Sequence, residues 1–143
     1  MKYFFFHSFF LFLSVISFGQ TPEDITKRFF TDFASNSSKA IDEIYKTNPH
    51  SADLTEAINT MKEVAKNYPK NLGKYHGYEL ITQEKITNSF ILLTYMVRFD
   101  RQPMRFTFIY YKPSNEWNLY SLNFSANLDE ELEQIAKIIE TKD

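Results

Sequence analysis

The chain reads as an α+β domain, with N-terminal helices packed on a curved four-strand antiparallel meander and a further helix at the C-terminus. Three observations predict it. Apolar residues in the first half recur every three or four positions, as on one face of a helix. In the second half the period changes to two and the segments become rich in aromatic and branched side chains. Short turn segments such as Pro113-Ser114-Asn115-Glu116 separate the later segments, so neighbouring strands run antiparallel.

The first segment stands outside this domain. Lys2 precedes an apolar run of about 16 residues, Tyr3 to Phe18, and Ser17-Phe18-Gly19 places small residues at cleavage spacing before Gln20. A basic start, a short apolar core and a small-x-small site make a secretory signal peptide over residues 1–19. The run falls short of the roughly 18 to 20 residues needed to span a bilayer. The expectation is an exported protein, periplasmic or secreted, whose single domain is residues 20–143 and which has no membrane attachment after cleavage.

The helices follow in order. Thr21 caps a helix that begins at Pro22 and carries Glu23 and Asp24 in its first turn, with Ile25, Phe29, Phe30 and Phe33 as its apolar stripe. The run Ser35-Asn36-Ser37-Ser38 breaks it. A second helix places Ala40, Ile41, Ile44 and Tyr45 on one face and stops at Asn48-Pro49. A third begins near Ser51 or Asp53 with Glu56 placed for a capping box. Its stripe is Leu54, Ile58, Met61, Val64, Ala65 and Tyr68, and Pro69 ends it.

Residues 75–86, 89–100, 103–112 and 117–126 read as strands. A two-residue loop at Arg101-Gln102 sets Phe99 opposite Met104, Val97 opposite Phe106, Tyr95 opposite Phe108 and Leu93 opposite Tyr110. The other face then pairs Arg98 with Arg105 and is partly wet. A three-residue loop after Pro113 sets Tyr110 opposite Tyr120, Phe108 opposite Leu122 and Phe106 opposite Phe124. A turn at Thr87-Asn88 sets Tyr78 opposite Val97 and Leu80 opposite Tyr95. Together these registers make one strongly aromatic face. Asn127 caps the last helix, whose stripe is Leu128, Leu132, Ile135, Ala136 and Ile139.

Composition narrows the function classes. Lys2 is the only charge in residues 1–19, which leaves 15 Lys and Arg against 18 Asp and Glu, mixed along the chain. A mildly acidic, mixed surface offers no basis for binding nucleic acid or an anionic membrane. The chain has no cysteine, which excludes disulfides, thiol catalysis, cysteine zinc sites and a lipid-modified cysteine. No His, Asp and Glu cluster has ligand spacing, so neither a metal nor another cofactor is expected.

Three segments carry a family resemblance: Leu72-Gly73-Lys74-Tyr75-His76-Gly77-Tyr78, Phe106-Thr107-Phe108-Ile109-Tyr110-Tyr111-Lys112-Pro113, and Trp117-Asn118-Leu119. With three helices ahead of a four-strand meander, residues 22–126 resemble small exported bacterial members of the nuclear-transport-factor-2-like superfamily, an α+β cone. The resemblance implies helices closed over the concave sheet face, with a mouth that many members use for a small apolar ligand. Enzymes of similar fold place Asp, His and Tyr inside the cone. Here Tyr78, Tyr95 and Tyr110 are placed to line it, and Asp100 and Glu84 lie near its rims.

The candidate ligand-binding residues are therefore His76, Tyr78, Tyr95, Phe106, Phe108 and Tyr110, with no catalytic residue assigned. The register puts His76 on the aromatic face near Phe99, with no carboxylate at a recognisable orienting spacing. Histidine at a sheet edge is commonly hydrogen-bonded for structure, and aromatic rows are commonly core. The favoured reading is a non-enzymatic binding or accessory module that holds a small apolar ligand or a protein partner at the cone mouth or sheet face. An isomerase- or dehydratase-type enzyme with acid–base chemistry inside the cone is the second reading. A homodimerising sheet scaffold is the third.

Overall fold

The N-terminal helix forms because its first turn satisfies its own orphan donors. In the computed structural model, which describes residues 19–126 together with Leu128 and Glu133, Thr21 Oγ1 accepts from the Asp24 amide at 3.1 Å. Asp24 Oδ2 in turn accepts from the Thr21 amide, completing a capping box for α1, Pro22–Phe33. The expected stripe of Ile25, Phe29, Phe30 and Phe33 is buried. Residues 1–18 of the expected signal segment and, apart from Leu128 and Glu133, the expected C-terminal helix lie outside the described residues.

Helix α2, Ser37–Tyr45, starts earlier than the polar run suggests, because Asn36 accepts from the Lys39 amide and caps it. Ser37 and Ser38 are thus its first turn and not part of the break. A 3₁₀ turn at Ser51–Leu54 leads into α3, Thr55–Lys66. The capping box expected from Glu56 does not form, since Leu54 occupies the cap position and has no side-chain acceptor. Pro69 does not end the helical region. It sits in the first turn of a short α4, Tyr68–Leu72, where a missing N–H costs nothing.

The four strands are β1 (Tyr75–Thr87), β2 (Phe90–Phe99), β3 (Met104–Tyr111) and β4 (Asn118–Ser125), in one antiparallel sheet of that order. The β1–β2 pairs Tyr78–Val97 and Leu80–Tyr95 are as expected. So are Phe106–Phe124 and Phe108–Leu122 between β3 and β4. A bulge then sets Tyr110 opposite Leu119, and Tyr120 turns to solvent.

The β2–β3 register differs from expectation by two residues: Val97 pairs with Met104, Tyr95 with Phe106, Leu93 with Phe108 and Ile91 with Tyr110. The cause is the loop. Arg101-Gln102 supplies no residue suited to the positive φ of a tight hairpin, and Asp100 and Arg101 turn away to bond the carbonyls of Lys74 and Leu72. A shift of two preserves which face each side chain occupies, but it separates Arg98 from Arg105, which now stands opposite Met96.

Helix α1 covers the aromatic face. Phe30 stacks on Tyr78 with ring centroids 3.9 Å apart. Phe29 meets Phe108 edge-on at 5.2 Å and Phe33 meets Phe106 at 5.3 Å. Leu93, Val97, Phe106, Phe108 and Tyr110 have no solvent exposure. Each such side chain contributes about 1.5–3 kcal/mol by burial. The segment after α2 then ties down the β4 edge, with Thr47 Oγ1 accepting from the Leu119 amide and Asn48 Nδ2 donating to its carbonyl.

Candidate functional site

Five of the six candidate residues lie together, and they form the core. Phe106, Phe108 and Tyr110 are fully buried against α1, Tyr95 is buried, and Tyr78 is half-covered under the Phe30 ring. The Tyr110 hydroxyl lies 2.7 Å from Thr26 Oγ1, which itself donates to the Pro22 carbonyl. Thr26 has one proton, so Tyr110 is the donor between them. Burial holds the Tyr110 phenol well above its ordinary pKa and pushes that of Tyr95 up to about 12. Phenols so raised stay protonated near neutral pH and offer no phenolate there.

His76 is elsewhere. Tyr75 takes the position facing Phe99, and the register shifts between Tyr75 and Tyr78, where Gly77 has φ +107°. The bulge turns His76 off the aromatic face and leaves it about half exposed. It is not alone. Its Nε2 lies 2.5 Å from Asp100 Oδ1, and Asp100 Oδ2 accepts from the Lys74 amide at 2.6 Å. The His76 bond, then the Lys74 amide, hold the Asp100 carboxyl below its ordinary pKa. A carboxylate is only an acceptor, so Nε2 carries the proton and the tautomer is fixed. Arg98 Nη2 donates to the His76 carbonyl at 3.0 Å, and Arg98 lies 3.3 Å from Glu79. The sequence concealed this carboxylate because Asp100 stands 24 residues from His76 and meets it only through the wide β2–β3 loop.

Gly73 shows how closely this corner is built. Its φ is +85°, and a Cβ there would stand 2.5 Å from Asp100 Oδ2. Only glycine satisfies both conditions.

A second feature lies on the helical side. The apolar stripe of α3 is only partly covered: Ala65 is buried, Ile58 and Met61 are partly buried against the core, and Val64 is exposed. Leu54, Ala57, Met61 and Val64 face Tyr68 of α4 and Phe124 of β4 across an open groove of about 650 Å³. Val64, expected in the core, is 48% exposed. Within its lining the Tyr68 and Phe124 rings meet edge-on at 5.9 Å. Asp53, Glu56, Thr60 and Asn123 also line the groove. The sequence signal was the breadth of the α3 stripe, which exceeds what one contact with the sheet requires. The cleft between α2 and α3 is polar by contrast and is bridged by Lys62 and Asp42 at 2.8 Å.

Among the described residues no group of three His, Asp or Glu could hold a metal ion, and no helix is long and apolar enough to cross a membrane. No protein-family model, curated protein or solved structure matches this chain.

Proposed function

We propose that this is an exported, non-enzymatic binding module whose working surface is the groove between α3 and β4, taking apolar side chains of a protein partner. The observation that carries it is the amphipathic helix α3, which buries Ala65 and leaves Val64 about half exposed in the lining of the groove, beside Met61 and the preceding Leu54, both partly buried against the core. Apolar side chains gathered in one groove favour an interaction there over singly scattered surface residues. The filled interior moves binding from within the cone to its outside. Export rests on residues 1–19, and kinship with the nuclear-transport-factor-2-like superfamily rests on element order and aromatic pattern.

A small apolar ligand in the same groove is the second reading. It is favoured by a volume within the roughly 300–1,000 Å³ typical of ligand sites. The enzyme reading loses ground: His76 has its orienting carboxylate, but both groups stand about half exposed rather than inside a water-excluding cavity.

Native mass spectrometry of the protein purified from its own host tests the proposal, with Met61→Glu as the comparison. Wild type is expected to carry a partner or ligand that the folded variant has lost. Equal retention by both would reject the groove. The same spectra report whether the mature chain begins at Gln20.

A further inference from the structure

The sheet face away from α1 is built to be covered. Along β2 and β3 it presents the pairs Leu92–Ile109, Thr94–Thr107 and Met96–Arg105. Thr94, at its centre, is 6% exposed. That is unusually dry for a threonine on the side opposite the α1 rings.

The chain itself supplies a matching segment. β4 ends at Ser125, which pairs with Arg105, and Leu128 just beyond is 5% exposed. From there Leu132, Ile135, Ala136 and Ile139 continue one helical stripe, while Asp129, Glu130, Glu131 and Glu133 crowd its start. We propose that residues 127–143 return across the outer face as an amphipathic helix, laying this stripe on Leu92, Thr94, Met96 and Ile109. The acidic start then lies beside Arg105, at the end of the face where Arg98 is within 3.3 Å of Glu79. Reach is sufficient. At about 1.5 Å per residue the segment extends about 25 Å, whereas four strands about 4.8 Å apart span about 14 Å.

Two complementarities select this occupant over a second copy or a foreign partner. Acidic residues begin four positions after Ser125, whose cross-strand neighbour is Arg105. The apolar row on the sheet also meets an apolar stripe that would otherwise be solvated. Covering this face leaves the α3–β4 groove open, so the inference is independent of the reading given to that groove.

The chain has no cysteine, so Lys137→Cys, on the polar side of the stripe, takes a single nitroxide label. In the processed protein with methyl-¹³C methionine, Met96 reports the outer face and Met61 the groove. The label is expected to remove most of the Met96 methyl intensity and spare Met61. Arg98→Glu combined with Arg105→Glu is expected to restore the Met96 signal. Loss at Met61 instead would place the segment in the groove, and no loss at either would mean an undocked segment. Loss seen only between differently labelled molecules would mean a second copy. Each of these three results overturns the proposal. Gln134→Cys, also off the stripe, provides the same reading if the first label perturbs folding.

Discussion

Tyr110 and Thr26 join the sheet to the first helix through one buried hydrogen bond of 2.7 Å, in which Thr26 accepts while giving its own proton to Pro22. The two ends are not equivalent. Removing the phenol oxygen leaves Thr26 satisfied by its own helix. Removing the threonine oxygen leaves the Tyr110 hydroxyl buried without an acceptor. Tyr110→Phe is therefore expected to cost about 0.5–1.5 kcal/mol and Thr26→Val about 1–3 kcal/mol. Urea denaturation of both variants checks the order, and a larger loss in Tyr110→Phe would reverse the donor assignment.

The fold was largely legible because its strongest signals are periodic. Phe29 and Phe33 mark a helix stripe, and Phe106, Phe108 and Tyr110 alternate along one strand, so each declares its face without reference to the other. The β2–β3 register was not legible, because it is set by Asp100 and Arg101 bonding back to Lys74 and Leu72, contacts distant in sequence. His76 was misplaced for a related reason. The bulge at Gly77 changes which residues share a face, and alternation alone carries no sign of it. The groove was half legible: the α3 stripe named Leu54, Met61 and Val64, but nothing local says that Val64 stays exposed while the other two are only partly buried.

Asp100 clasps the α4–β1 corner to the β2–β3 loop, and its carboxyl is held below its ordinary pKa chiefly by His76. A depressed carboxyl stabilises the fold above the unfolded value, near 3.9, and that stability is lost as pH falls through the folded value. Wild type is expected to lose thermal midpoint below about pH 4 more steeply than Asp100→Asn, which has no such proton to bind. Parallel acid profiles would show that the clasp carries no linkage. Gly73→Ala, which drives a Cβ into Asp100, is expected to lower the midpoint at neutral pH more than Gly77→Ala, whose Cβ would meet only the end of the Arg98 side chain at 3.2 Å.

At the alkaline end the buried phenols set the limit. Tyr68, Tyr75 and Tyr95 are pushed up to about 12 by burial, and Tyr110 is raised further by the same cause. Unfolded tyrosines release protons near 10, so between about pH 10 and 12 the native state binds more protons than the unfolded state and stability falls with rising pH. Tyrosinate absorbance during an alkaline titration is expected to show a late class that appears together with loss of near-ultraviolet circular dichroism. Full ionisation of all tyrosines with the dichroism intact would contradict a filled aromatic core.

On the proposed function, binding occurs at the α3–β4 groove and not within the aromatic core or on the outer sheet face. Three methionines report these places separately: Met61 in the groove, Met104 in the core and Met96 on the outer face. Titration of methyl-¹³C methionine-labelled protein with cyclopentanol, a small apolar probe, reads all three in one spectrum. The Met61 methyl signal is expected to shift first and saturate while Met96 and Met104 stay in place. A Met104 shift at the lowest probe concentration, a Met96 shift ahead of Met61, or a stationary Met61 would contradict it.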